Sequence, residues 1–217
     1  MPAIQSSLSI VTNYFSNAQF KNLVKQKVTD YWQQRLRCEA KSKPSLCYFK
    51  PEFMSLQKPH QIFTSCNSNP FEINKAIIQC RLLSGRYPTD WLSRHWTRDN
   101  KDGFCVLCPP GESVPGSIEH FLIECCTLEP KRLEIFNFWR DQTYDNSDLY
   151  TLLTLKRNAS VTEFTQLLLD PSVDPDVISG AQQNLFSISM LFKLTRTYVY
   201  GLHRRKLKLT GKFNKST

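Results

Sequence analysis

The chain lacks a long apolar run: no segment of its 217 residues approaches the ~18 consecutive apolar residues that a membrane span requires. The opening stretch MPAIQSSLSIVTNYF has no positive charge ahead of its apolar residues, so it does not read as a secretory signal. The expectation is an intracellular protein, nuclear or cytoplasmic, with no membrane partner. Strand signals are missing too, because no stretch of four or more residues alternates cleanly between apolar and polar, and there is no internal repeat. Acid is absent from the end of the chain. Beyond Asp176 there is no Asp or Glu, while Lys193, Arg196, Arg204, Arg205, Lys206, Lys208, Lys212 and Lys215 all fall there. A segment without internal counter-ions suits polyanions, since phosphate neutralisation by Lys and Arg is the main sequence-independent contribution to nucleic-acid binding. A solvated basic tail is the plainer alternative.

What is present is enough for a packed core: 41% hydrophobic residues, 12% aromatic, and a net charge of +9. Helical punctuation dominates. In NAQFKNLVKQKVTDYWQQRLR, Phe20, Leu23, Val24, Val28, Tyr31, Trp32 and Leu36 recur at three- and four-residue steps, giving one apolar face. In SNPFEINKAIIQCRLLSG, Asn69 can cap with Glu72 three residues on, Pro70 suits the first helical position and Gly85 the stop. The proline-rich stretch between these two reads as an extended connector over the surface of its neighbours. Three short helices follow in PKRLEIFNFW, SDLYTLLTLKR and SVTEFTQLLLDP. One longer helix is expected from Asp174 and Pro175 along the stripe Ile178, Ala181, Leu185, Ile188, Leu191, Phe192, Thr195, Tyr198, Val199 and Leu202 into HRRKLK. On this reading Arg204, Arg205, Lys206 and Lys208 project beyond its last packed turn. The expected fold is mainly α: a helical domain with a small Cys-Cys-His-Cys zinc knuckle and a long basic C-terminal helix. Its regions would be 1–68, an N-terminal helix and connector; 69–142, a helix and the cysteine region; and 143–217, helical with a basic tail.

Four of the eight cysteines and one of the four histidines fall between Cys105 and Cys126. In a reducing compartment, metal, packing or redox chemistry has to account for them rather than a disulfide framework. Cys105 and Cys108 form a C-x2-C pair whose short turn lets both thiolates reach one ion. His120 and Cys125 complete the spacing C-x2-C-x11-H-x4-C, with Ser117 as the cap of a short helix carrying both. Three thiolates and an imidazole make a closed tetrahedral shell, which describes a structural zinc site. A buried, reduced cysteine cluster with a packed histidine is the competing reading. A thioredoxin-like pair fits less well, because no strand precedes Cys105. Cys126 is a spare that could replace Cys125 as a ligand or, like Cys38, Cys47, Cys66 and Cys80, serve packing. Just ahead of this cluster, Trp91, Arg94, His95, Trp96, Arg98 and Lys101 interleave aromatic and cationic groups that could stack bases and pair phosphates. Trp91 and Trp96 could equally be core residues of a short helix.

NPFEINKAIIQCRLLSGRYPTDWLSRHWT, FCVLCPPG, SIEHFLIECC and LTRTYVYGLHRRKLKL together resemble the C-terminal region of LINE-type (non-LTR) retrotransposon reverse transcriptases, over most of the chain. The resemblance implies a zinc knuckle with Cys105, Cys108, His120 and Cys125 as ligands, and RNA or DNA as partner, alongside the polymerase part of the parent element. It implies no catalysis by this chain. The polymerase of such an element holds its metal ions on an Asp-Asp pair, and the chain contains none. A truncated copy or open-reading-frame fragment is therefore expected. Some related elements carry a restriction-like nuclease beyond the knuckle, and Pro175-Asp176 matches the start of its motif, but no second carboxylate follows. A degenerate remnant serving structure or protein interaction is the third possibility.

Overall fold

The computed structural model describes residues 16–53, 58–66, 68–90, 102–109 and 111–211, and it is mainly helical, with no strand among the described residues. The chain divides into two units, Met1–Pro44 and Ser45–Thr217. The first contains helix α1, Asn17–Ser42, opened by a capping box in which Ser16 and Gln19 exchange hydrogen bonds. Its one buried residue is Ala40, and Val24, Val28, Tyr31 and Trp32 are exposed, so the apolar face read from the sequence is not a packed face.

The second unit contains α2 (Gln61–Thr64), α3 (Pro70–Leu83), α4 (Glu129–Gln142), α5 (Ser147–Ala159), α6 (Val161–Leu169), α7 (Pro175–Gln182) and α8 (Ile188–Leu209). The proline-rich stretch, which belongs to this unit from Ser45 on, is more than a surface connector. It forms 3₁₀ turns at Pro44–Leu46 and Pro51–Phe53 and then α2, and it places Tyr48, Ile62 and Cys66 in the core. The expected boundaries at 68/69 and 142/143 both fall inside this unit.

The helix ends follow their local chemistry. Asn69 Oδ1 accepts from the Phe71 amide at 2.9 Å, and Pro70 opens α3. Glu72 does not complete a capping box, because its carboxylate pairs instead with Lys75 and Arg196. At the other end Gly85 has φ +63°, and the Arg86 and Gly85 amides return to the carbonyls of Arg81 and Leu82, the Schellman arrangement. A Cβ at Gly85 would lie 2.3 Å from the Ser45 carbonyl oxygen, so both conformation and space require glycine.

The single long helix expected from Asp174 is two helices. Asp174 and Pro175 open α7 as read, with Asp174 Oδ1 accepting from the Asp176 and Val177 amides. The chain then turns at Asn184, whose φ is +58°. The Asn184 and Leu185 amides bond back to Ala181 and Gly180, a second Schellman closure with asparagine in the left-handed position. Leu185 is exposed as a result, and Phe186 enters the core.

Helix α8 runs through the middle of the packing. Its buried side chains include Leu191, Phe192, Leu194, Tyr198, Val199 and Leu202. Tyr198 lies among Phe136, Trp139 and Phe164, and Trp139 donates its indole N–H to the Leu194 carbonyl at 3.2 Å. Two polar side chains inside this core donate to backbone carbonyls. Gln79 donates to the Leu168 carbonyl at 2.7 Å, and the Tyr198 hydroxyl donates to the Leu122 carbonyl at 2.7 Å. This last bond fixes the segment that carries the candidate metal ligands. No helix among the described residues is long and apolar enough to cross a membrane.

Candidate metal centre and cationic face

The first cysteine pair sits on a turn held at its base by backbone. Phe104 and Pro115 form an antiparallel bridge, with Cys105 N–H to the Val114 carbonyl and Gly116 N–H to the Gly103 carbonyl, both at 2.9 Å. The proline- and glycine-rich loop therefore has fixed ends before any ion is considered. Asp90 Oδ2 accepts from the Val106 amide at 3.3 Å, and the Thr127 hydroxyl donates to the Leu107 carbonyl at 2.5 Å, gripping the C-x2-C turn from two sides.

His120 and Cys125 come from the next segment. Ser117 Oγ accepts from the His120 amide at 3.1 Å, the capping role expected of it. Residues His120–Glu124 then form a π-turn, closed by the Cys125 amide bonding to the His120 carbonyl at 2.8 Å. The wider turn has a consequence for coordination. In a regular α-helix two residues five apart would project about 140° from each other. An i→i+5 turn brings them back toward one side. Phe121 and Leu122, buried at 4% and 0% exposure, anchor the turn in the core.

The structure brings Cys105, Cys108, His120 and Cys125 together, with their donor atoms all within 4.8 Å of one another. Cys125 Sγ lies 3.9 Å from both Cys105 Sγ and Cys108 Sγ, and Cys108 Sγ lies 3.2 Å from His120 Nε2. A tetrahedral ion with metal–sulfur bonds of about 2.3 Å separates its sulfurs by about 3.8 Å. The donors are thus already spaced for one metal ion. His120 Nε2 is the nitrogen turned toward the sulfurs. His120 Nδ1 is buried without a hydrogen bond, and Glu124 Oε2 stands 3.9 Å from it, on the side where metal-bound histidines usually find a carboxylate.

The three thiols share one negative charge unequally. Cys105 is held down at about 3, chiefly by the hydrogen bond it receives from Cys125 and with His120 assisting, against the cost of burial. Cys108 is pushed up to about 11 by burial and by its neighbour Cys105. Cys125 is driven well above the usual thiol range, first because it donates to Cys105 and then by burial. A bound divalent ion reverses this preference by stabilising every thiolate it touches. Arg132, itself buried, donates to the Cys125 carbonyl at 2.6 Å and pairs with Glu129 at 2.7 Å.

Cys126 is exposed and lies outside the four-donor set. It groups with Cys108 and the exposed Glu112 instead. The packing role expected for the remaining cysteines fits the buried Cys66 and the half-buried Cys80, but Cys38, Cys47 and Cys126 are exposed.

The cationic face is narrower than the sequence suggests. Arg204, Arg205 and Lys208 are exposed on α8, as expected. Lys206 is not: it is buried and its ammonium lies 3.1 Å from Asp90 Oδ1, tying α8 to the aspartate that also holds the cysteine turn. Helical spacing carried the signal, since Lys206 follows Tyr198 and Leu202 at four-residue steps along the buried stripe. Arg196 is likewise interior, at 1% exposure, donating to Ile62 and Ser65 and paired with Glu72. Arg94, Trp96, Arg98 and Lys101, with Trp91 and His95, lie outside the described residues. Asp176 is paired with Lys156 at 2.7 Å, so the Pro175-Asp176 dipeptide serves as a helix start with a bound counter-ion. Comparison of the chain with protein-family models, curated proteins and solved structures returns no match.

Proposed function

We propose that the chain is the non-catalytic, nucleic-acid-binding C-terminal portion of a retrotransposon-derived reverse transcriptase of the LINE type, stabilised locally by one zinc ion. Zinc is the ion that three sulfurs and one imidazole nitrogen in a tetrahedral set suit best. When bound it would supply a cross-link with no open position for chemistry, held by Cys105, Cys108, His120 and Cys125. The residues of the chain then do the binding. RNA or DNA is the partner, and the polymerase part of the parent element is a second. The chain itself has no Asp-Asp pair on which polymerase metals could sit.

One observation carries the nucleic-acid reading. Arg204, Arg205 and Lys208 are exposed together on the end of a helix whose other face is locked into the core, in a segment with no acid after Asp176. Cations on a rigid element can neutralise successive phosphates with little loss of side-chain and backbone freedom. The resemblance of its motifs to the retrotransposon region supports the parentage.

The test is binding of the purified chain to single- and double-stranded RNA and DNA across a salt series. Each phosphate contact contributes about 0.9 to the logarithmic salt slope on duplex DNA and about 0.7 on single strands. Replacing Arg204, Arg205 and Lys208 together by Ala should weaken all sequences alike and flatten the slope, because backbone contacts do not read bases. A triple variant that binds like the parent, with the parent's slope, contradicts the reading.

A further inference from the structure

Helices α4 and α8 pack antiparallel: Trp139 meets Leu194 and Tyr198, and Ile135, about one turn nearer the start of α4, meets Gly201 further along α8. A Cβ at Gly201 would lie 2.9 Å from Ile135 Cδ1 and 3.5 Å from Lys131 Cε, so the missing side chain lets the start of α4 lie against α8 and lays the Lys131 stem over the glycine. Because α8 continues past the start of α4, an open cleft of ≈ 510 Å³ forms between them, lined by Pro130, Lys131, Glu134, Gly201, Arg204, Arg205 and Lys208. Gly201, Arg204, Arg205 and Lys208 are spaced i, i+3, i+4, i+7, which places them within about 100° of arc on one face. Four cations from two helices thus converge on one cleft with a single carboxylate, Glu134, which is paired with Lys131.

We infer that this cleft holds the phosphodiester backbone of a nucleic-acid strand, with Lys131 of α4 and Arg204, Arg205 and Lys208 of α8 gripping it from two sides. The inference rests on the nucleic-acid reading above and adds to it a second wall, a residue 73 to 77 positions away in sequence from the cations on α8, and an internal competitor. Lys131 contributes a phosphate contact, and Glu134 holds its ammonium until phosphate displaces the carboxylate. The two residues therefore oppose one another: losing the lysine weakens binding, whereas losing the glutamate strengthens it. A helix that merely presented cations to solvent would need neither.

The experiment uses the full chain and a labelled oligothymidylate of about fifteen nucleotides, titrated from roughly 50 to 200 mM salt. Lys131→Gln should lower the salt slope by about 0.7, the loss of one single-strand contact. Glu134→Gln should bind more tightly than the parent at every salt concentration, an effect that damaged folding cannot mimic. If Lys131→Gln and Glu134→Gln both bind as the parent does while the Arg204, Arg205 and Lys208 triple variant loses binding, the cleft is overturned and the contact belongs to α8 alone. If the parent binds no oligonucleotide, or binds only vesicles rich in phosphatidylserine, the cleft and the nucleic-acid reading fall together.

Discussion

Between Asp102 and Gly116 the only described residues that are buried are two glycines, whereas α8 buries nine of its 22 residues. The two regions lie in one unit and touch through Asp90 and Lys206, yet they are held in different ways. The scaffold of α3, α4, α6 and α8 is fixed by side chains with almost no exposure, among them Leu82, Leu167, Phe192 and Leu202. It has the apolar mass to order itself. The cysteine loop has no buried apolar side chain of its own among the described residues. It depends on a two-bond backbone bridge, on grips from Asp90 and Thr127, and on four converging donors. An ion bound by those donors would supply to the loop the cross-link that a core supplies elsewhere.

If that division is right, the loop and the scaffold should fail separately. The largest effect is expected from Cys108→Ser, which removes one of four donors. Bound zinc should be lost and the loop amides should exchange rapidly, while far-ultraviolet circular dichroism stays near that of the parent. Retention of one zinc would mean that the exposed Cys126 takes over, since it already lies near Cys108. Next is Leu202→Ala, which opens a cavity under α8 and should cost about 2–5 kcal/mol of global stability in denaturant unfolding. Zinc content of the folded fraction should not change.

Lys206→Ala sharpens the comparison where the regions meet. The Lys206–Asp90 pair is about nine-tenths buried, with side chains 11% and 12% exposed, and removing one partner of a charged hydrogen bond there should cost about 2 kcal/mol. Its signature should be weaker zinc retention in chelator competition with an unaltered salt slope for nucleic acid. A flattened slope would place Lys206 among the phosphate contacts after all.

Much of this was legible in short spacings. Asn69-Pro70 and Gly85, Ser160 before Glu163, and Asp174-Pro175 act within one helical turn, and each stands at the helix end it marks. The four donors were legible because C-x2-C and H-x4-C describe local turns. The π-turn that aims His120 and Cys125 together was not, since nothing in HFLIE distinguishes it from an α-turn. Other misses came from partners far along the chain. Lys206 and Arg196 look like part of a cationic arm until Asp90 and Glu72, 116 and 124 residues away, are seen beside them. The break at Asn184 was hidden because the apolar period continues through Leu185 while the backbone turns. Periodicity also showed α1 to be amphipathic without saying what, if anything, covers its apolar face.

The central claim is that Cys105, Cys108, His120 and Cys125 form one structural zinc site, and calorimetry of zinc binding to the metal-free chain in buffers of different ionisation enthalpy tests it directly. Cys105, held near 3, is already a thiolate at neutral pH, while Cys108, raised to about 11, and Cys125, raised further, carry protons that the ion must displace. The account predicts one zinc per chain, release of about two protons at pH 7, and affinity that still rises with pH beyond the titration of Cys108, because Cys125 holds its proton to higher pH. Absence of zinc binding, or binding with no proton release, would contradict it.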